Sequence, residues 1–258
     1  MGQSEFKFKE FSIKQEYSAM RVNTDAVLLG AWMSVPKGND SRMLDIGTGT
    51  GVIALMAAQR CKDNSTGTVI DAVEIDEDAC KDALLNFINS PWNNIKLNLF
   101  NYSVQRFCQV HTQKQYDLIF SNPPYFVDSL KNINQSKSVA RHTDTLSQAD
   151  LLKCVGGMLK RGGRFAVVLP QEQAQELLRK IDFLIQSSIG KGYSVLYPVR
   201  ICKVKTTQKK IAKRFLMEFE YDIITEEINT IEETLVMLDN GVYTNEYKKL
   251  TMDFYLYF

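Results

Sequence analysis

A doubly wound α/β fold, with a parallel sheet and helices on both faces, is what this 258-residue sequence predicts. Short apolar or β-branched runs alternate with helical stretches from Met43 to about Ser188. A glycine-rich turn follows the first of these runs and an Asn-Pro-Pro turn follows a later one, and in such folds ligands lie at the carboxyl ends of the strands. The longest unbroken apolar stretch, Val52 to Ala58, is far short of the roughly 18–20 residues that span a bilayer.

The elements follow in order. Phe6, Phe8, Phe11 and Ile13 alternate as a short strand or hairpin would. Asn23-Thr24-Asp25 offers N-cap chemistry for a helix from Ala26 to Met33, closed by Pro36 and Gly38. Met43–Ile46 is a strand ending in glycines, and Val52–Arg60 the helix after it. Thr68–Ile75 is a β-branched strand, followed by a helix over Glu77–Asn89 that Ser90-Pro91 stops. Lys96–Phe100 and Tyr116–Phe120 are further strands. The capping box Ser147-Gln148-Ala149-Asp150 opens a helix running to about Gly162-Gly163. Arg164–Leu169 is the fifth strand and Gln171 to about Ser188 a further helix, with Tyr193–Val204 and Lys213–Tyr221 an antiparallel pair at the end. No linker or repeat interrupts the chain, so a single domain over 1–258 is expected, with residues 1–40 forming an N-terminal cap over the ligand site.

Composition narrows the class. With 45% apolar and 24% charged residues, the chain is neither disordered nor fibrous. Gly2 to Lys7 contains no apolar h-region, so an unexported, cytoplasmic protein without a membrane partner is expected. Lys+Arg 31 against Asp+Glu 30 leaves a net charge of +1, so any nucleic-acid contact must come from a local patch. Cys61, Cys80, Cys108, Cys154 and Cys202 are scattered, with no C-x-x-C pair, and the two histidines are too few for a histidine-based cluster. Neither a metal nor a disulfide framework is expected.

Three segments carry chemistry. Asp45-Ile46-Gly47-Thr48-Gly49-Thr50-Gly51 lies between a strand and a helix, where glycines let the backbone turn sharply and approach a ligand. Gly49, Gly51 and Ala54 loosely satisfy a dinucleotide pattern, but D-x-G-x-G-x-G is the closer fit and resembles the cofactor loop of S-adenosylmethionine-dependent methyltransferases. Glu74, closing the next strand, can accept hydrogen bonds from two ribose hydroxyls, whereas Asp76 suits the cap of the following helix. Where many methyltransferases place an acid against the cofactor's adenine, this chain has Asn101-Tyr102-Ser103-Val104, which leaves Tyr102 or Ser103 to line that pocket. Ser121-Asn122-Pro123-Pro124-Tyr125-Phe126 is the third segment. Its prolines stiffen the backbone so that the Asn122 side-chain oxygen and the Pro123 carbonyl can accept both hydrogens of one planar –NH₂, with Tyr125 a stacking face.

Together these segments resemble the N-P-P-Y amino-methyltransferases. The run Asn23 to Trp32, Met43 to Arg60, Ala140-Arg141-His142 and Tyr243 to Tyr247 are similar to the tRNA(Val) adenine-N6-methyltransferase family. The resemblance spans most of the chain. It implies a Rossmann-like class I methyltransferase fold, with a mostly parallel seven-stranded sheet, helices on both faces and an antiparallel C-terminal strand pair. S-adenosylmethionine is the implied cofactor, and tRNA, specifically a valine tRNA methylated at the adenine beside the anticodon, the implied partner. Asn122, Pro123 and Tyr125 are the implied catalytic residues. Asp45, Gly47, Gly49, Gly51, Glu74, Tyr102, Ser103 and Asn122 are expected to hold the cofactor, with Thr24 and Asp25 over its amino-acid end. His142 reads as structural or an RNA contact rather than a base. Lys203, Lys205, Lys209, Lys210, Lys213 and Arg214 form a basic segment that suits phosphates or a solvated hairpin tip equally, while Glu226, Glu227, Glu232 and Glu233 should face away from RNA. Other N-P-P-Y substrates, a ribosomal guanine amine or a release-factor glutamine, stay open, as does a catalytically inactive RNA-binding module. The oligomeric state is open too, with a monomer favoured.

Overall fold

The computed structural model describes residues 4–63, 66–124, 146–225 and 227–257. Tyr125 and Ala140-Arg141-His142 lie outside these residues. Among them, β1 (Glu5–Lys7) and β2 (Ser12–Lys14) form a small antiparallel hairpin. A nine-stranded sheet makes the body, built from β3 (Arg42–Ile46), β4 (Val69–Glu74), β5 (Lys96–Asn101), β6 (Tyr116–Ser121), β7 (Leu159–Pro170), β8 (Ser194–Thr207), β9 (Arg214–Ile223), β10 (Ile231–Asp239) and β11 (Val242–Tyr243). Their order across the sheet is β11-β10-β8-β9-β7-β6-β3-β4-β5. The seven strands from β5 to β8 are those expected, mostly parallel with β8 and β9 antiparallel. Beyond them, β10 adds a parallel strand along β8 and β11 folds back on it.

Side-chain alternation along the strands makes two cores. Met43, Leu118, Phe120, Ala166 and Val168 pack on one face with α1 (Thr24–Trp32), α2 (Val52–Cys61) and the aromatic hairpin. Leu44, Ile46, Ile119, Phe165 and Val167 pack on the other. That second face is covered by α4 (Val104–Val110), α5 (Gln148–Met158) and α6 (Gln171–Ser188). Neighbouring residues therefore serve opposite cores, as the two-residue period of a strand requires. Further helices are α3 (Glu77–Ile88) and α7 (Asn245–Thr251). No described helix is long and apolar enough to cross a membrane.

Helix α5 ends sooner than its sequence suggests. The Gln115 N–H donates to the Met158 carbonyl at 2.9 Å, and Leu159 pairs with Tyr116. Pairing with β6 thus begins before the glycines, which instead form an irregularity within β7.

The order reverses at β3, whose neighbours β4 and β6 are reached by crossovers on opposite sides. This switch point sets the loops after β3 and β6 against each other, which is where ligands of open α/β sheets bind. The N-terminal segment is tied down beside it by α3. Asp82, fully buried, accepts from the Glu16, Tyr17 and Ser18 amides at 3.2, 3.0 and 2.7 Å. One helical turn on, Asn86 accepts from Lys14 N at 2.8 Å and donates to the carbonyls of Lys14 and Thr50, both at 2.9 Å. Asp82→Ala leaves three amides without their charged acceptor, so urea denaturation should show a loss on the order of 3 kcal/mol. A loss under about 0.5 kcal/mol would mean the segment holds without this carboxylate.

Candidate active site

The glycine loop joins β3 to α2 through three residues with positive φ: Gly47 at 70°, Gly49 at 56° and Gly51 at 82°. Their roles differ. A Cβ on Gly47 or Gly49 would meet no atom within 4 Å, so both backbones face open space. A Cβ on Gly51 would lie 2.6 Å from the Phe87 ring, so this glycine serves helix packing rather than ligand approach. The Gly47 and Thr48 amides donate to the Val73 carbonyl at 2.8 and 3.1 Å, fixing the loop to the end of β4.

Asp45 lies beneath the loop, fully buried. Its Oδ2 accepts from the Thr48 hydroxyl at 2.7 Å, while Oδ1 has no hydrogen-bond partner. Burial pushes this carboxyl up to about 7, the Glu74 charge adding to the effect and the Thr48 bond opposing it. The folded chain thus keeps a proton that the unfolded chain, with its ordinary Asp value, releases above about pH 4. Stability through this group therefore falls as pH rises from about 4 to about 7 and stays low above that. Asp45→Asn should gain stability over the wild type by up to about 4 kcal/mol more at pH 8 than at pH 4. Equal differences in urea midpoint at the two pH values would contradict the buried-acid assignment.

Glu74 ends β4 and is buried. Its Oε2 accepts from Gly49 N at 2.8 Å, and Oε1 accepts from the Ile75 and Asp76 amides, both at 2.9 Å. A carboxylate offers about four acceptor positions, so one remains, on Oε2. Glu74 is therefore not preset to take two hydroxyls at once: a diol occupying both oxygens must displace an amide. Asp76 caps α3, accepting from Ala79 N at 2.7 Å, which separates the two acids as their positions suggest.

Asn122 follows β6 and is partly exposed, with Pro123 buried behind it. The preceding Ser121 hydroxyl donates to the Ile46 carbonyl at 2.8 Å, clamping this turn to the start of the glycine loop. Asn122 shares one depression with Gly47, Gly49 and Thr50, and also with Met20, Arg21 and Asn23. These last three were not evident as site residues. Asn23 shows in the sequence as a helix cap, which it is, accepting from Ala26 N at 2.9 Å. Thr24 is exposed, and Asp25 turns to the Arg214 guanidinium at 2.6 Å. Neither is among the residues lining the depression.

A second hollow adjoins the first at Gly47 and is lined by Ile46, Val73, Glu74, Tyr102, Ser103 and Gln105, among others. Ser103 is committed to capping α4, its hydroxyl accepting from Arg106 N at 3.2 Å. The Arg106 guanidinium lies 4.6 Å over the Tyr102 ring. Gln105 is the neutral amide in this lining, and nothing in its sequence neighbourhood marks it. Apolar walls around one carboxylate and one carboxamide suit a flat ring attached to a polyol.

A methyltransferase small domain model matches residues 12–196. The tRNA1(Val) (adenine(37)-N6)-methyltransferase of Trichodesmium erythraeum is 41% identical over 256 residues, 99% of each chain. The protein of that name from Flavobacterium johnsoniae is 38% identical, covering 97% of this chain and 99% of its own. Among solved structures, a predicted O-methyltransferase from Agrobacterium tumefaciens superposes with a TM-score of 0.62 at 15% identity, covering 89% of this chain and 96% of its own. M. jannaschii TYW2 in complex with AdoMet gives 0.54 at 14% identity, covering 87% and 89%. These two likenesses concern the fold. With a strand-end glycine loop, an acid on the next strand, an Asn-Pro-Pro turn across the switch point and near-full-length relatives at this identity, the chain belongs to the methyltransferase small domain family and, within it, to the tRNA1(Val) (adenine(37)-N6)-methyltransferases.

Proposed function

We propose that this protein transfers a methyl group from S-adenosylmethionine to the N6 amine of adenine 37 in a valine tRNA. The observation that carries the reading is the meeting of Asn122 and the open backbones of Gly47 and Gly49 in one depression at the switch point.

The residues present fit the cofactor. Gly47 and Gly49 leave room for its amino-acid and ribose part. The spare acceptor on Glu74 Oε2 suits a ribose hydroxyl, and the hollow bounded by Tyr102, Ser103 and Gln105 suits its adenine, with the Gln105 carboxamide in the place of an acid. Asp45, fully buried beneath the loop and protonated up to about pH 7, steadies that loop through the Thr48 hydroxyl. Asn23, Met20 and Arg21 border the amino-acid end, while Asp25 acts through Arg214. The N-terminal segment works as a cap, its stretch from Lys14 to Ser18 held through Asp82 and Asn86 on α3.

When bound, the cofactor supplies an electrophilic methyl group on a sulfonium sulfur. Asn122 Oδ1 and the Pro123 carbonyl accept the two hydrogens of the adenine amine. Held so, the amine nitrogen leaves conjugation with the ring and turns its lone pair toward the methyl. Both interactions strengthen as that nitrogen gains positive charge, the condition for catalysis rather than mere binding. The methylated, cationic amine is acidic enough to lose its proton to water, so no dedicated base is needed. Tyr125, two residues after Pro123, is the aromatic side chain proposed to stack on the extruded base.

Incubation with methyl-labelled cofactor and total tRNA, followed by nucleoside digestion, tests the reaction. Label in N6-methyladenosine is expected. Label in a methylated guanine, or in a glutamine of added release factor and not in tRNA, would overturn it. Failure to bind the cofactor by calorimetry would leave only an inactive RNA-binding module.

A further inference from the structure

The six cations between Lys203 and Arg214 divide sharply once their partners are seen. Lys203 pairs with Glu232 on β10 at 2.6 Å. Arg214 pairs with Asp25 at 2.6 Å. Lys205 donates to the Gln208 carbonyl of its own hairpin at 2.9 Å. Lys209, Lys210 and Lys213 are exposed, and no described side chain partners them. They surround Ile211, which is 70% exposed. No acid occurs between Lys203 and Met217. Of the three acids of β10, Glu233 is spent on Arg200 at 2.7 Å and Glu232 on Lys203, lower on the sheet. Asp239, one residue past the Leu238–Thr207 pair, is a single exposed carboxylate at the edge of the tip against its three free lysines. The uncompensated positive charge is therefore confined to the tip that joins β8 to β9.

The position of that tip is fixed. Arg214 pairs in register with Pro170, the last residue of β7, so the tip stands at the carboxyl edge of the sheet, the same edge that carries Asn122. Gln171 N donates to the Lys213 carbonyl at 3.3 Å, and Lys213 N to the Val204 carbonyl at 3.2 Å. Arg214 works as a strut. Through Asp25 it braces the tip against the start of α1, whose cap Asn23 borders the depression holding Asn122.

We infer that this hairpin tip is the grip for the tRNA backbone beside the reacting base. Lys209, Lys210 and Lys213 take the phosphates, and Ile211 gives an apolar contact to the sugar or base between them. The inference rests on the tRNA reading above and goes further, by assigning the surface and excluding Lys203 and Arg214 from it. Lysines on such a mount neutralise phosphates without registering sequence, so they position the RNA rather than select the base. Each contact releases counterions, and affinity should depend on salt accordingly.

The test measures binding of an unmodified valine tRNA transcript at 50 and 200 mM salt. Wild type is compared with the triple variant Lys209→Gln, Lys210→Gln, Lys213→Gln and with a control triple, Lys96→Gln, Lys153→Gln, Lys191→Gln, whose lysines are exposed away from the tip. Three lost contacts should lower the logarithmic salt slope by about 2–3, so the affinity lost between the two salts shrinks by roughly 20–40-fold in the tip variant. The control variant should keep the wild-type slope. In steady-state methylation the tip variant should show a raised KM for tRNA, with kcat at saturation and cofactor affinity unchanged. A tip variant with the wild-type slope, alongside normal methyl transfer, overturns the grip and leaves the reaction standing. A tip-dependent slope in a protein that transfers no methyl group upholds the grip and overturns the reaction.

Discussion

Asn122→Ala is expected to lower the methylation rate by about 10²–10³, or roughly 3–4 kcal/mol, by analogy with loss of one preorganised electrostatic partner. The loss should fall on kcat more than on KM. In the ground state the carboxamide oxygen meets a neutral, conjugated amine; in the transition state it meets a nitrogen gaining charge, and only the difference between the two accelerates the reaction. Asn122→Asp should keep part of the activity, because a carboxylate accepts hydrogen bonds at the same reach. Asn122 is partly exposed on a turn that Ser121 and the prolines hold independently, so the fold should not change. Thermal unfolding of the variant should therefore match the wild type. Turnover by Asn122→Ala within a factor of two of the wild type would remove the proposed role.

Gly49→Val should abolish cofactor binding without abolishing the fold. A β-branched residue at φ 56° is strained, and its side chain would enter the open space over the loop. A loss of at least about 100-fold in affinity, near 2.7 kcal/mol, is expected by calorimetry. Gly51→Val makes the contrast within the same motif. There the new Cβ would collide with Phe87 in the core, so the variant should first lose stability. Wild-type cofactor affinity in Gly49→Val would mean that the ligand does not approach this loop.

The contrast between these glycines shows what the sequence carries and what it leaves hidden. Contiguous segments at strand ends, the glycine loop, Glu74 and Ser121 to Pro124, were legible because the chemistry needs those residue types next to one another. The helix–strand alternation was legible because each run serves one of two cores by a simple period. Contacts across the fold were not. Asp82 and Asn86 look like ordinary polar positions of an amphipathic helix until the N-terminal segment is seen lying on them. Asp25 looks like a site acid until Arg214, 189 residues later, takes its carboxylate. Residues Ile231–Asp239 mix acids with apolar side chains and give no clean strand signal, because β10 spends two of its acids on cations of β8. Gln105 carries no motif at all; only the walls of the hollow single it out.

The central claim is that the Asn122 depression acts on the N6 amine of adenine 37. Its most direct test compares two unmodified valine tRNA transcripts, one with adenine at position 37 and one with guanine there, each given methyl-labelled cofactor and then mapped by nuclease digestion and mass spectrometry. Label as N6-methyladenosine at position 37 of the first transcript, with none on the second, is the predicted result. Equal labelling of both, or label at any other position of the first, would contradict it.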